Sequence, residues 1–225
     1  MNEIKKFAVL VAGGKGMRMG SALPKQFLPL MGKPVLTHAL IAFLNAVPDI
    51  EIILVLPADQ LSYAQIVLSA LPDPVDITIV SGGETRFHSV QNGLNAISGD
   101  GVVFVHDGAR PLISPELIHR CFNQAMELGS AIPAIPVAES MRIINGTDSS
   151  PVDRDKMRVI QTPQTFRTEV ILPAFQQAYS PAFTDEATVV EYYGTKVYLV
   201  QGEKQNIKVT TPEDMIIAEA FMHQE

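Results

Sequence analysis

Between positions 9 and 27 the chain reads V-L-V-A-G-G-K-G-M-R-M-G-S-A-L-P-K-Q-F, an apolar run followed by a glycine-rich turn and two cations. Gly13, Gly14 and Gly16 let the backbone take positive φ and approach a ligand closely, so that successive amides can converge on phosphate oxygens. Arg18 and Lys25 then add mobile positive charge to that cradle. Two better-known glycine motifs do not fit. A P-loop needs Gly-Lys-Ser/Thr, and here Gly16 is followed by Met17 and Arg18. A dinucleotide fingerprint needs a third small residue where this chain has Met19.

Three further clusters carry chemistry. The run V-V-F-V-H-D ends in Asp107, a hard oxygen ligand at the carboxyl edge of an expected strand and suited to Mg²⁺, which takes one or two carboxylates beside phosphates and water. The plainer reading of Asp107 is a turn or capping aspartate. His106 reads as a structural hydrogen-bonder, since no second His lies at ligand spacing. The segment G-G-E-T-R-F-H-S-V at 82–90 opens a helix with Arg86 and Ser89 on its first turns, and its plainer reading is a capped helix start. Lys208 precedes the final helix in N-I-K-V-T and, taken alone, reads as a surface cation.

The elements that must position these residues follow a βαβα rhythm, the pattern of a mostly parallel sheet covered by helices on both faces. Strands are expected at 7–11, 51–56, 76–80, 102–105, 130–135 and 196–201, and helices near 35–45, 61–71, 85–97 and 115–128. Ligands of such sheets gather at the carboxyl ends of the strands, where the glycine turn and the residues at 81–86 and 106–110 fall. From 136 to about 161 the rhythm breaks. Residues 140–144 read as a strand and Asn145-Gly146 as a hairpin turn, so a protruding β arm is expected, with a surface loop as the alternative.

At 225 residues the chain is expected to form one domain. A net charge of −7 argues against a nonspecific nucleic-acid binder, yet leaves room for a small polyanion met by local cations. Cys121 is the only cysteine, at helical spacing with Leu117, Ile118, Phe122 and Ala125, so a buried structural thiol is expected and no internal disulfide forms. The polar start and the lack of a long apolar run point to a cytoplasmic protein with no membrane span.

The pattern L-x-A-G-G-x-G-x-R-M followed by P-K resembles the nucleotidyltransferase signature. From about Phe7 to the last helix the chain is similar to the 2-C-methyl-D-erythritol 4-phosphate cytidylyltransferase family of the non-mevalonate isoprenoid pathway. The resemblance implies a single Rossmann-like α/β domain that transfers CMP from CTP to a polyol phosphate. The reaction would use Mg²⁺ or another divalent cation, and the homodimer would be gripped through the arm. It implies catalytic roles for Arg18, Lys25 and Lys208, and nucleotide contacts at Ala12, Gly13, Gly14, Gly16, Gly82, Gly83, Arg86, Ser89 and Arg110. Asp107 would hold the metal, and Ser140, Arg154, Thr162 and Thr184 the acceptor. Glu139-Ser140 stands where the family usually has Asp-Thr, preserving a carboxylate and a hydroxyl. A relative acting on ribitol 5-phosphate is the nearest alternative, and a non-catalytic nucleotide sensor a more distant one.

Overall fold

A computed structural model describes residues 4–13 and 23–223; Gly14, Gly16 and Arg18 lie outside the described residues. The chain begins with β1 (Lys5–Val11), a strand whose side chains alternate between two cores. Ala8 and Leu10 enter one core, and Phe7, Val9 and Val11 the other. A 3-10 turn Lys25–Phe27 and the small hairpin of β2 (Pro29–Leu30) and β3 (Lys33–Pro34) lead into α1 (Val35–Ala46). Then come β4 (Glu51–Leu56), α2 (Ala64–Leu68), β5 (Ile77–Ser81), α3 (Arg86–Leu94), β6 (Gly101–Asp107), α4 (Pro115–Leu128) and β7 (Ser130–Pro136). The helix expected over 61–71 is instead a 3-10 turn Ala58–Tyr63 followed by the short α2. Pro72 and Pro74 stand just beyond, and a residue before proline is driven out of helical backbone.

After β7 the chain forms a separate two-stranded hairpin, β8 (Arg142–Asn145) and β9 (Asp148–Pro151), exposed along its whole length. Its turn places Gly146 at φ 61, a backbone that glycine adopts without a Cβ penalty. This is the protruding arm expected from the sequence. The chain returns through a 3-10 turn Arg154–Lys156 and completes the sheet with β10 (Arg158–Ile160) and β11 (Gln164–Arg167), then adds α5 (Thr168–Ala174), α6 (Glu186–Tyr192), β12 (Leu199–Gln201) and α7 (Pro212–Met222).

The sheet runs β10-β7-β11-β6-β1-β4-β5, with β12 beside β7. The pairs β6-β1, β1-β4, β4-β5 and β7-β12 are parallel, whereas β11 is antiparallel to both neighbours and β10 is antiparallel to β7. Leu36, Leu40 and Phe43 of α1 with Leu117, Ile118 and Cys121 of α4 cover one face. On the other, Phe87 and Val90 of α3 pack with Ile171 of α5 and Val190 of α6. Burial pushes the Cys121 thiol up to about 12, which keeps it an uncharged packing group. Helix α4 is bounded by local chemistry: the Ser114 hydroxyl accepts the Leu117 amide, Pro115 opens the first turn, and Gly129 ends it at φ 86. Among the described residues no helix is long and apolar enough to cross a membrane.

Candidate active site

The carboxyl ends of β1 and β6 and the first turn of α3 enclose a cavity of about 310 Å³, lined among others by Ala12, Gly13, Lys25, Gly83, Arg86, Ser89, Asp107 and Lys208. Each arrives for a local reason. Ala12 leaves the sheet edge with its amide on the Val55 carbonyl. The buried Gln26 donates to the Ala12 carbonyl at 2.9 Å and to Gln60 at 2.7 Å, locking the turn that carries Lys25 beside the end of β1. The Lys25 ammonium donates to the Val209 carbonyl at 2.8 Å, so this turn is joined to the segment that bears Lys208.

At the mouth of α3, the Ser89 hydroxyl accepts the Gly83 amide at 3.1 Å and donates to the Thr85 carbonyl at 2.9 Å. Gly83 has no substitute here, because an added Cβ would lie 2.4 Å from that of His88. Gly82 sits behind the wall with its amide on the Leu56 carbonyl.

Asp107 is the electrostatic centre. Its Oδ1 receives Arg86 at 3.1 Å, and its Oδ2 receives Lys208 at 2.8 Å, with Arg110 Nε at 3.8 Å. Burial alone would raise the carboxyl pKa, but Arg86, then Lys208 and Arg110, hold it well below the ordinary carboxylate range. The group is therefore ionised wherever the protein is folded near neutral pH. Arg86 is shared: its Nη1 and Nη2 also meet both oxygens of the fully buried Glu186, the latter at 3.1 Å. Burial pushes the Glu186 carboxyl upward and Arg86 opposes it.

Beneath Asp107 lies a polar relay. The Asp107 amide donates to Thr162 Oγ1 at 3.0 Å, and Thr162 Oγ1 lies 3.1 Å from His106 Nδ1. His106 Nε2 is 3.1 Å from the Arg110 carbonyl, which can only accept. The ring therefore carries its proton on Nε2, and Nδ1 accepts from the threonine hydroxyl. Burial pushes the His106 pKa down to about 4, so the ring is neutral in this role. Arg110 is buried as well, donating to the Asn206 carbonyl at 2.7 Å, and Asn206 in turn donates to the Thr162 carbonyl at 2.8 Å.

The structure thus brings eight of the sequence-predicted residues to one cavity and sets Gly82, Arg110 and Thr162 behind its wall. Thr184 is exposed at a neighbouring crevice that also borders Arg86 and Glu186. Ser140 and Arg154 are exposed at the base of the arm, where Arg154 donates to the Ala138 carbonyl at 2.7 Å, and neither lines this cavity. Sequence reasoning passed over Gln26, Asn206 and Glu186. The signal for Glu186 was the capping pair Asp185 and Thr188, which marks a helix start and puts Glu186 in its first turn.

A family model described as 2-C-methyl-D-erythritol 4-phosphate cytidylyltransferase matches residues 7–224. An enzyme of that name from Bacteroides fragilis is 47% identical over 215 residues, covering 96% of this chain and 98% of that relative. One from Bacteroides thetaiotaomicron is 44% identical, covering 97% and 100%. The crystal structure of 4-diphosphocytidyl-2C-methyl-D-erythritol synthase from Anaerococcus prevotii superposes with a TM-score of 0.82 at 30% identity, covering 98% of this chain and 99% of that one. That of 2-C-methyl-D-erythritol 4-phosphate cytidylyltransferase from Thermus thermophilus does so with a TM-score of 0.73 at 31% identity, covering 96% and 98%. With a cation-ringed cavity at the carboxyl ends of its parallel strands and a match along nearly its whole length, this chain belongs to the 2-C-methyl-D-erythritol 4-phosphate cytidylyltransferase family.

Proposed function

We infer that the chain transfers CMP from CTP to 2-C-methyl-D-erythritol 4-phosphate, releasing pyrophosphate, in isoprenoid precursor synthesis. The observation that carries this reading is the convergence of Lys25, Arg86 and Lys208 on one cavity beside an ionised Asp107. In the reaction an acceptor phosphate oxygen forms a bond to the α-phosphorus as the bond from that phosphorus to the β-phosphate oxygen breaks, and the electron pair leaves with pyrophosphate. Both reactants are anions and the nucleophile is already ionised, so charge neutralisation and alignment supply most of the catalysis.

Lys25, with Arg18 from the glycine turn, meets the charge that builds on the α-phosphate. Lys208 reaches both phosphates by exchanging Asp107 for substrate oxygens. The glycine-rich segment from Gly13 and the side-chain-free backbone of Gly82 and Gly83 let the nucleotide approach closely, with Ser89 holding Gly83 in place. Arg110 supports the site from behind through Asp107.

Among the described residues no three His, Cys, Asp or Glu side chains gather into a metal cage. A divalent cation would take Asp107 as its protein carboxylate and complete its shell with phosphate and water, a donor set that suits Mg²⁺. When bound, such an ion neutralises phosphate charge as a Lewis acid. Thr184 borders the acceptor, and Thr162 serves by holding the Asp107 amide. Ser140 and Arg154 act across a homodimer, each arm completing its neighbour's site. Support for that assembly comes from the arm's exposed apolar side chains, Met141, Ile143 and Ile144, with Met157 and Val159 on its return. We place the activity in the cytoplasm.

Pyrophosphate release from CTP and Mg²⁺, measured with 2-C-methyl-D-erythritol 4-phosphate and with ribitol 5-phosphate, tests the assignment. Release with the first and little with the second is expected. Preference for ribitol 5-phosphate would reassign the acceptor, and CTP binding without release in either case would refute the enzyme.

A further inference from the structure

Glu186 is a fully buried charge that touches the cavity only through another residue. It is the first residue of α6, and that helix start is pinned from both sides. Gln164 of β11 donates to Asp185 Oδ2 at 2.8 Å and accepts the Ala187 amide at 2.7 Å, while Asp185 and Thr188 cap each other. The carboxylate is thus fixed in place, and the partner that adapts to it is Arg86, whose side chain is 31% exposed.

Stability does not demand this arrangement. Buried ion pairs lose so much hydration that apolar replacements of similar volume are often neutral or better. Phe87, Phe175 and Phe183 border the same crevice, so apolar filling suits the location. What a carboxylate adds is direction. With both Glu186 oxygens on one side of the guanidinium, Nη2 alone reaches Asp107. Without Glu186, the nearest carboxylate is Asp107, and the arginine fork would close on it with both arms.

We propose that Glu186 is a positioning residue for the nucleotide: it holds Arg86 along the cavity wall and keeps the arginine from collapsing onto Asp107. The proposal rests on the nucleotidyl-transfer reading and names how this site keeps a cation available to CTP. A misdirected Arg86 should weaken ground-state and transition-state binding alike. Glu186→Gln is therefore expected to raise the KM for CTP about tenfold with kcat changed less than about twofold. Glu186→Asp, which keeps the charge, should recover part of that loss. In an Arg86→Ala background, Glu186→Gln should change CTP binding by less than about twofold, because its only route to the ligand is gone.

The decisive experiment is this double-mutant cycle, read by steady-state kinetics and by calorimetric titration with CTP, with thermal melts of every variant. An equal effect of Glu186→Gln in both backgrounds, or no effect on CTP binding in the wild-type background, overturns the proposal. Should the Gln variant not fold, Glu186→Asp takes its place in the cycle with the same criteria. A wild-type protein that binds CTP but turns over none would sink the functional assignment, while the calorimetric coupling would still decide the role of Glu186.

Discussion

Thr162→Val is the sharpest probe of the relay under the active site, because it removes a hydroxyl and almost no volume. Thr162 is 4% exposed, so no water replaces the lost group at the surface. Two buried partners are stranded: the Asp107 amide, 3.0 Å from Oγ1, and His106 Nδ1, 3.1 Å away. Each unsatisfied buried group costs about 1–3 kcal/mol, so the substitution should destabilise by roughly 2–6 kcal/mol. For a chain of this size each kcal/mol lowers the melting temperature by about 2–4 °C, giving a shift on the order of 10 °C. Thr162→Ser keeps both hydrogen bonds and loses one methyl group, about 1 kcal/mol. Urea denaturation separates the two through the midpoint at constant slope. In kinetics, Val should lower kcat as Asp107 loses its tether, while Ser should leave it nearly unchanged. If Val and Ser prove equally stable and Val alone raises the acceptor KM, the hydroxyl faces substrate rather than His106 and the relay is wrong.

Two further substitutions test the cation cradle and the arm. Lys25→Ala should cut turnover about a hundredfold, the effect of losing one preorganised charge-stabilising donor. Because its ammonium also bonds the Val209 carbonyl, about 1 kcal/mol of stability should go with it; a rate equal to wild type would show that the cradle lies elsewhere. Ile144→Asp changes a side chain that is 68% exposed, so the folded monomer should be within about 0.5 kcal/mol of wild type. Sedimentation should then report monomer, with activity falling as Arg154 no longer reaches a neighbour. An unchanged mass and rate would refute a dimerising role for the arm.

The parallel part of the sheet was legible because its strands are apolar runs bounded by turn residues, a pattern fixed in β1, β4 and β6 by burial on both faces. Strand β11 and helices α5 and α6 were not. Gln164, Thr165 and Arg167 give β11 a polar sequence, and its pairing with β6 and β7 comes from tertiary context. Strand β12 begins at Leu199 rather than three residues earlier, where its ladder to Ile132 starts. At the site, Lys25, Arg86 and Asp107 were recognisable because each sits beside a turn or helix start, whereas Lys208 came from the family resemblance. Glu186 and Gln26 were hidden for one reason: each bonds protein groups distant in sequence, and only coordinates show which. Thr162 was recognised as belonging to the site, but the side of the wall it faces depends on the burial of His106.

An acidic chain that handles two anions looks contradictory until charge is counted where it acts. The net charge is −7, yet among the described residues the cavity is lined by three cations, Lys25, Arg86 and Lys208, against two carboxylates, Glu84 and Asp107. At physiological salt, fields from exposed charges fade within about 8 Å, so a triphosphate inside the cavity responds mainly to that local surplus. Asp107 does not undo the surplus; it organises it. Arg86, Lys208 and Arg110 confined together would repel one another, and a single ionised carboxylate holds all three in one place. Lys208 is the one most able to leave, with its side chain 41% exposed against 10% for Arg110. That asymmetry assigns the moving part to Lys208 and the fixed frame to Arg110 and the Glu186-braced Arg86.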